Sequence, residues 1–258
     1  MLLSAGKTSK EVKLPKLSIE KKTTVARAPR AKATVDDSLE VAAKMKELFS
    51  DFNWRVVTTE EELVDYLDSR RELGIDTETT GLDVFKDDLV GFSLGTLDDC
   101  IYIPLTHERG KNYSGSLSRL SEILSSRDLY GFNAKFDMKM MKHHAGVTLK
   151  VKWCGYLAAR LMYSLEESNE LKALYVKYVD PNAKFYEFRE LFKNKFSFYD
   201  PAVVGAYAAV DAMKHIRLGK WQEEHIGKAE KKLLQQLELP LAHELVDIEL
   251  TGDRKSVV

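Results

Sequence analysis

Cysteine is nearly absent. The 258 residues hold only Cys100 and Cys154, too few for a disulfide scaffold and without the C-x-x-C spacing of a zinc site. Both read as buried, reduced thiols. No run of about 18 apolar residues is present to span a bilayer, and the N-terminus lacks the apolar stretch of a secretory signal. These absences argue against a membrane protein and against export, and point to an intracellular chain, cytoplasmic or organellar. No repeat with a period of about 20–50 residues is visible, which excludes a solenoid. Charge of one sign is not in excess either, with 39 Lys+Arg facing 40 Asp+Glu. What is present is 44% hydrophobic and 31% charged residues, enough for a buried core in one large domain or two small ones.

The near-zero net charge hides an asymmetry. Residues 1–35 contain seven Lys and two Arg against Glu11 and Glu20, a net +7, so the remainder carries −8. The first 35 residues have few large apolar side chains and read as a basic disordered tail or linker. A nucleic-acid-binding arm, an organellar targeting peptide and a linker from a preceding domain all fit that composition. The acidic remainder has no global field to attract nucleic acid, so such a partner needs a local groove.

From Ser38, the residues Leu39, Val41, Ala42, Met45, Leu48 and Phe49 recur at helical spacing. Trp54 to Val57 predicts a strand. Thr59 followed by Glu62 has the spacing of a capping box, which predicts a helix from Glu60 to Arg71 with Leu63, Val64 and Leu67 inward. Three β-leaning runs follow, Leu73 to Thr77, Leu89 to Gly95 and Cys100 to Pro104, suggesting a meander. Helices are predicted near 117–125, 134–145, 155–164, 170–178, 201–218 and 228–250. Strands first and helices later suggest an α/β sandwich, a mixed sheet flanked by helices.

The chemistry concentrates in three acidic segments. In Gly74-Ile75-Asp76-Thr77-Glu78, strand alternation points Asp76 and Glu78 to the same face. Two such carboxylates either share a small space with a hard divalent cation or sit on an edge strand in water. In Asn133-Ala134-Lys135-Phe136-Asp137, Asn133 reads as a helix N-cap and Asp137 as a first-turn acid. In Tyr207-Ala208-Ala209-Val210-Asp211, Tyr207 and Asp211 share one face of a helix whose small residues permit close approach. A capping acid and a satisfied Tyr–Asp core pair explain the last two segments equally well.

Taken in order, Asp-x-Glu, Asn-x-x-x-Asp and Tyr-x-x-x-Asp resemble the DEDDy 3′–5′ exonuclease superfamily. The text around Leu89-Val90-Gly91-Phe92, Tyr102-Ile103-Pro104-Leu105 and Leu239-Pro240-Leu241-Ala242 is similar to the proofreading domain of family A DNA polymerases and the start of their polymerase domain. The resemblance runs from about Trp54 to the C-terminus. It implies an RNase H-like (DnaQ-like) fold over 36–225, with 226–258 a helix leading into a truncated polymerase domain. It implies two Mg²⁺ or Mn²⁺ ions, Asp76 bridging both, Glu78 and Asp211 holding the first, and Asp137 holding the second largely through water. Tyr207 would orient the attacking water, and Thr77, Leu82, Asn133 and Phe136 would place the terminal nucleotide, Leu82 by wedging against bases. Two departures stand out. Trp153-Cys154 falls where relatives often carry Asp-Thr, and Phe185 to Phe198 is rich in aromatics and Lys.

Phosphodiester hydrolysis needs a nucleophile at neutral pH and relief of charge on the leaving oxygen. Two metals about 4 Å apart supply both. The expected substrate is the 3′ end of single-stranded DNA, gripped by rings and cations for which Phe132, Phe136, Lys135, Lys139 and 184–198 are candidates, although Phe132 and Phe136 read more readily as core and each Lys as a solvated helix charge. His143-His144 reads as an exposed helix end. A polymerase needs a palm with its own carboxylates, so this chain is not expected to synthesise DNA, and the polymerase domain or other replication proteins are expected partners. Alternatives are an RNase D-like exoribonuclease with the same metal cluster, and a non-catalytic nucleic-acid-binding module.

Overall fold

The structure, a computed structural model, describes residues 36–163 and 168–252. The basic segment 1–35 and the end of the chain, 253–258, lie outside the described residues. The capping box forms as the sequence predicts. Glu62 N–H donates to Thr59 Oγ1 and Thr59 N–H to Glu62 Oε2, each at 3.2 Å, and so starts α2 (Glu60–Leu67). It is shorter than predicted, and Val64 faces solvent while Leu63, Tyr66 and Leu67 turn inward. Tyr66 takes the inward place because its hydroxyl reaches Asp99, at 3.1 Å. In α1 (Ser38–Phe49), Val41, Met45 and Phe49 are buried, whereas Leu39 is exposed at the first turn.

The sheet has six strands in the order β1 (Asn53–Val56), β4 (Asp99–Pro104), β3 (Leu89–Gly95), β2 (Glu72–Thr79), β5 (Asp128–Gly131), β6 (Val151–Cys154). β2, β3 and β4 form the expected antiparallel meander, while β1 joins β4, and β5 and β6 extend from β2, in parallel. Sequence reading gave neither β5 nor β6. Four residues each, they are followed by helices at once (β6) or after three residues (β5), and short apolar runs carry no period of their own. Both cysteines are buried and unpaired.

The faces of β2 decide the architecture. Gly74, Asp76 and Glu78 face α8 (Pro201–His225), which crosses β2, β3 and β4. Thr77 faces the other way, toward α4 (Lys135–Ala145). α8 lies unusually close. Ser93 Oγ, on the strand position opposite Asp76, donates to the Ala208 carbonyl at 2.9 Å. A Cβ at Gly74 would overlap the Ala212 carbonyl, and one at Gly95 would sit 2.6 Å from Met213 N. α8 begins at an Asp200 cap with Pro201 behind it and runs to His225, about two turns further than predicted from sequence.

α2 and α3 (Leu117–Ser125) join α4 in the main core, with Leu63, Leu67, Leu120, Leu124, Met138 and Met141 packed on the sheet. A second core holds α1 and the aromatic segment between α7 (Phe188–Leu191) and α8 against α8. α5 (Gly155–Met162) and α6 (Leu171–Tyr178) pack against the middle of α8 in a third. The predicted helix 228–250 is α9 (Lys228–Leu233), a π turn over Leu234–Glu238, and α10 (Leu239–Thr251). Pro240 sits at the start of α10, and Leu234, Leu239 and Val246 enter the main core. No helix among the described residues is long and apolar enough to cross a membrane.

Candidate active site

β5 pairs with β2 only as far as Gly74. Beyond that point the edge of β2 is open, and the Thr77 N–H, which has no strand partner there, donates to Asp137 Oδ1 at 3.1 Å. The Thr77 hydroxyl donates to the same oxygen at 2.6 Å. Asp137 thus reaches from the first turn of α4 to the end of the sheet, near the positive pole of its helix.

Asp76 and Glu78 approach from β2 and Asp211 from α8. Burial, and then the charges of Asp137, Glu78 and Asp211, push the Asp76 carboxyl well above the usual carboxylate range. Glu78 is pushed up to about 8 by burial and by Asp211 and Asp137. Burial lifts Asp137 to about 7, against the opposing hydrogen bonds of Thr77. The sequence thus brings four carboxyls from three elements within electrostatic reach of one another, with too little positive charge to balance them.

Tyr207 stands one helical turn before Asp211, half-buried, its ring edge-on to Phe192 at 5.2 Å and Phe49 at 6.5 Å. Burial, then the charges of Glu78, Asp211 and Asp76, raise its phenol far above the ordinary value, so the hydroxyl stays protonated. The aromatic departure at 185–198 is largely explained by this ring, since Phe188, Phe192 and Phe196 all pack around it. Trp153 is fully buried, with its indole N–H on Gln222 at 3.1 Å, and so belongs to the core of β6.

Asn133 is not the N-cap. That position is Ala134, and Asn133 takes a left-handed backbone, φ 56°, with its side chain exposed. Among non-glycine residues Asn accepts this conformation most readily. Together with Phe132, Tyr156, Leu171, Lys172, Phe185 and Asp211 it lines a cavity of about 600 Å³ that opens beside the carboxylates. Leu82, 84% exposed, stands in the turn after β2, and Phe136 is half-buried against the main core. Lys135 and Lys139 are neither free for a ligand nor simply solvated, the two readings the sequence left. Both ammonium groups pair with Glu249 of α10, Lys139 at 2.7 Å. His143 and His144 are exposed at the end of α4, as read from the sequence.

Sequence reasoning missed Lys214 and His215. Lys214 Nζ lies 2.9 Å from Asp211 Oδ1 and 4.2 Å from the centre of the Phe185 ring. His215 donates Nδ1–H to the Ile75 carbonyl at 2.7 Å, leaving Nε2 at 3.9 Å from Asp76 Oδ1. Burial holds this imidazole below its ordinary pKa and therefore neutral. The i,i+3 step from Asp211 to Lys214 was the available sequence signal.

The donor set is oxygen only, which suits Mg²⁺ or Mn²⁺. Among the described residues no three carboxylate, imidazole or thiol groups surround one ion position as they stand. Asp137 is engaged by Thr77 and Asp211 by Lys214, so ligation requires these side chains to reorient. Burial raises Asp76, Glu78 and Asp137, and mutual repulsion raises Asp76 and Glu78 further; a cation would offset both, and the residues fit such ions on that ground.

Residues 54–221 match a family model described as 3′–5′ exonuclease, that of the family A DNA polymerases. The chain is 28% identical over 212 residues to DNA polymerase I of Chloroflexus aurantiacus, covering 78% of this chain and 22% of that protein. It spans between 22% and 32% of the length of the curated relatives it matches. Among solved structures, NrnC of Brucella melitensis with bound Mg²⁺ superposes with a TM-score of 0.57 at 18% identity, over 80% of this chain and 97% of that one. The POL domain of Pol1 from M. smegmatis, in complex with DNA primer-template and dNTP, gives 0.57 at 19% identity, over 78% and 32%. These two likenesses concern the fold, which is RNase H-like.

Proposed function

We propose that this chain, which belongs to the 3′–5′ exonuclease family of the family A DNA polymerases, removes nucleotides from single-stranded DNA 3′ ends as the editing unit of such a polymerase. The observation that carries this reading is the convergence of Asp76, Glu78, Asp137 and Asp211 at the open edge of β2, beside a cavity of about 600 Å³. Two divalent ions, Mg²⁺ or Mn²⁺, would be held there, and when bound they supply an activated water and relieve charge on the leaving 3′-oxygen. Asp76, Glu78, Asp137 and Asp211 would hold them, and Asp76, whose carboxyl feels the charges of the other three, is the one we expect both ions to share.

Tyr207 remains protonated beside Glu78 and Asp211, so its task is to orient the attacking water rather than to take its proton. Thr77 fixes the Asp137 carboxylate. Asn133, in the turn before α4, and Phe136, in its first turn, meet the terminal nucleotide, and the exposed Leu82 wedges against its base. The curated relatives are DNA polymerases, which supports a polymerase domain as partner. An exposed apolar stripe over Leu233, Leu237, Leu241 and Ile248 supports a second domain packing there.

The test is parallel digestion of 5′-labelled single-stranded DNA and RNA of one sequence. The reading predicts faster shortening of DNA from its 3′ end. Faster shortening of RNA would move the chain to exoribonucleases, since the choice rests on contacts at the sugar 2′ position.

A further inference from the structure

Lysine is among the side chains least often buried, yet Lys214 sits in the middle of α8 with its side chain 9% exposed. Its ammonium donates to Asp211 Oδ1 at 2.9 Å, and the Phe185 ring covers it at 4.2 Å. Neither neighbour is incidental. Asp211 is one of the four converging carboxylates, and Phe185 lines the cavity beside them. The others lack such a partner among the interactions of the described residues: Asp137 receives neutral donors from Thr77, and Asp76 faces a neutral His215 at 3.9 Å. In a poorly solvated cleft an ammonium at hydrogen-bond distance is a strong competitor for a carboxylate oxygen.

Resting on the metal reading above, we infer that Lys214 is a built-in counter-ion for Asp211, which a divalent cation must displace to use that carboxylate. A cation ligated by Asp211 needs the oxygen lone pairs that Lys214 now engages and repels the ammonium at the same time. The displaced ammonium has a place to go. Nζ already lies over the face of Phe185, so rotation away from Oδ1 keeps the cation–π contact and moves the charge toward the cavity. The device lowers the net charge of the metal-free cluster and raises the cation concentration at which the site fills. Lys214 is on this account a positioning residue for the cation and does not touch the reacting atoms.

The test is calorimetric titration of the metal-free full chain with Mn²⁺, comparing native protein with Lys214→Met, which keeps the stem and the contact with Phe185. The half-saturating Mn²⁺ concentration falls about tenfold in Lys214→Met, the size expected when a charge-assisted hydrogen bond no longer competes. Lys214→Arg restores the cation and stays near native. Phe185→Leu is the second route should Lys214→Met fail to fold, and it shifts the midpoint because the displaced ammonium loses its seat: binding weakens. Unchanged or weaker Mn²⁺ binding by folded Lys214→Met overturns the inference while leaving the metal site intact. Absence of Mn²⁺ binding by native chain and Lys214→Met alike overturns the metal reading itself, and the inference with it.

Discussion

Thr77 and Asp137 are joined twice across the end of the sheet, by a backbone N–H at 3.1 Å and a hydroxyl at 2.6 Å to the same carboxylate oxygen. The contact exists because β5 stops pairing with β2 at Gly74, which leaves the Thr77 N–H without a strand partner. Thr77→Val keeps shape and removes the hydroxyl. It is expected to cost about 1–2 kcal/mol of stability and to raise the Mg²⁺ requirement for cleavage. Urea unfolding in EDTA and a Mg²⁺ titration of activity check the two halves separately.

The carboxyl cluster also sets a pH dependence. Asp137 at about 7 and Glu78 at about 8 lie above their ordinary values of 3.8 and 4.5, so the metal-free chain takes up protons on folding. Their contribution to stability is complete below the ordinary values and is lost as the pH rises through about 7 and about 8. Melting temperature in EDTA is therefore expected to lose this contribution between about pH 4 and pH 8 and to level off above it, and excess Mg²⁺ to raise it more at the alkaline end. Equal stabilisation by Mg²⁺ at both ends would separate these carboxyls from the cation.

Tyr207 is packed by Phe192, Phe188 and Phe196, all of which a phenylalanine would still meet. Tyr207→Phe should leave melting temperature and Mn²⁺ affinity near native while lowering turnover roughly 10- to 100-fold, the scale of a misplaced reactant. Single-turnover cleavage rates measure it, and an unchanged rate removes the tyrosine from the mechanism.

The distance between β2 and α8 is set by a missing side chain. A methyl at Gly74 meets the Ala212 carbonyl, one residue from Asp211, and lies two residues from Asp76. Gly74→Ala should destabilise the chain by about 1–3 kcal/mol or more and reduce activity further than stability alone explains. Circular-dichroism melts and cleavage rates below the melting transition test this, and a neutral substitution would show that α8 can move away without consequence.

Much of this was legible in the sequence where spacing and side-chain type agree. Asp76 and Glu78 two apart on a strand, and Tyr207 and Asp211 four apart on an alanine-rich helix, fix their own faces, and the capping box at Thr59 fixed the start of α2. β5 and β6 were hidden because four residues do not establish a period. Long-range pairing was hidden for a different reason. Nothing near Lys135 and Lys139 announces that Glu249, more than a hundred residues later, will occupy both. Asn133 was misplaced by one position because its type suits both an N-cap and a left-handed turn, and the backbone chose the second.

Whether the four carboxylates form a metal-dependent exonuclease centre is read from a 5′-labelled single-stranded DNA oligomer incubated with Mg²⁺ or EDTA and either native chain or Asp76→Ala. A ladder shortening from the 3′ end with Mg²⁺ only, abolished in a variant that still melts cooperatively, is the expected result. Cleavage that persists in EDTA or in folded Asp76→Ala, or no cleavage by folded native chain with Mg²⁺, would contradict it.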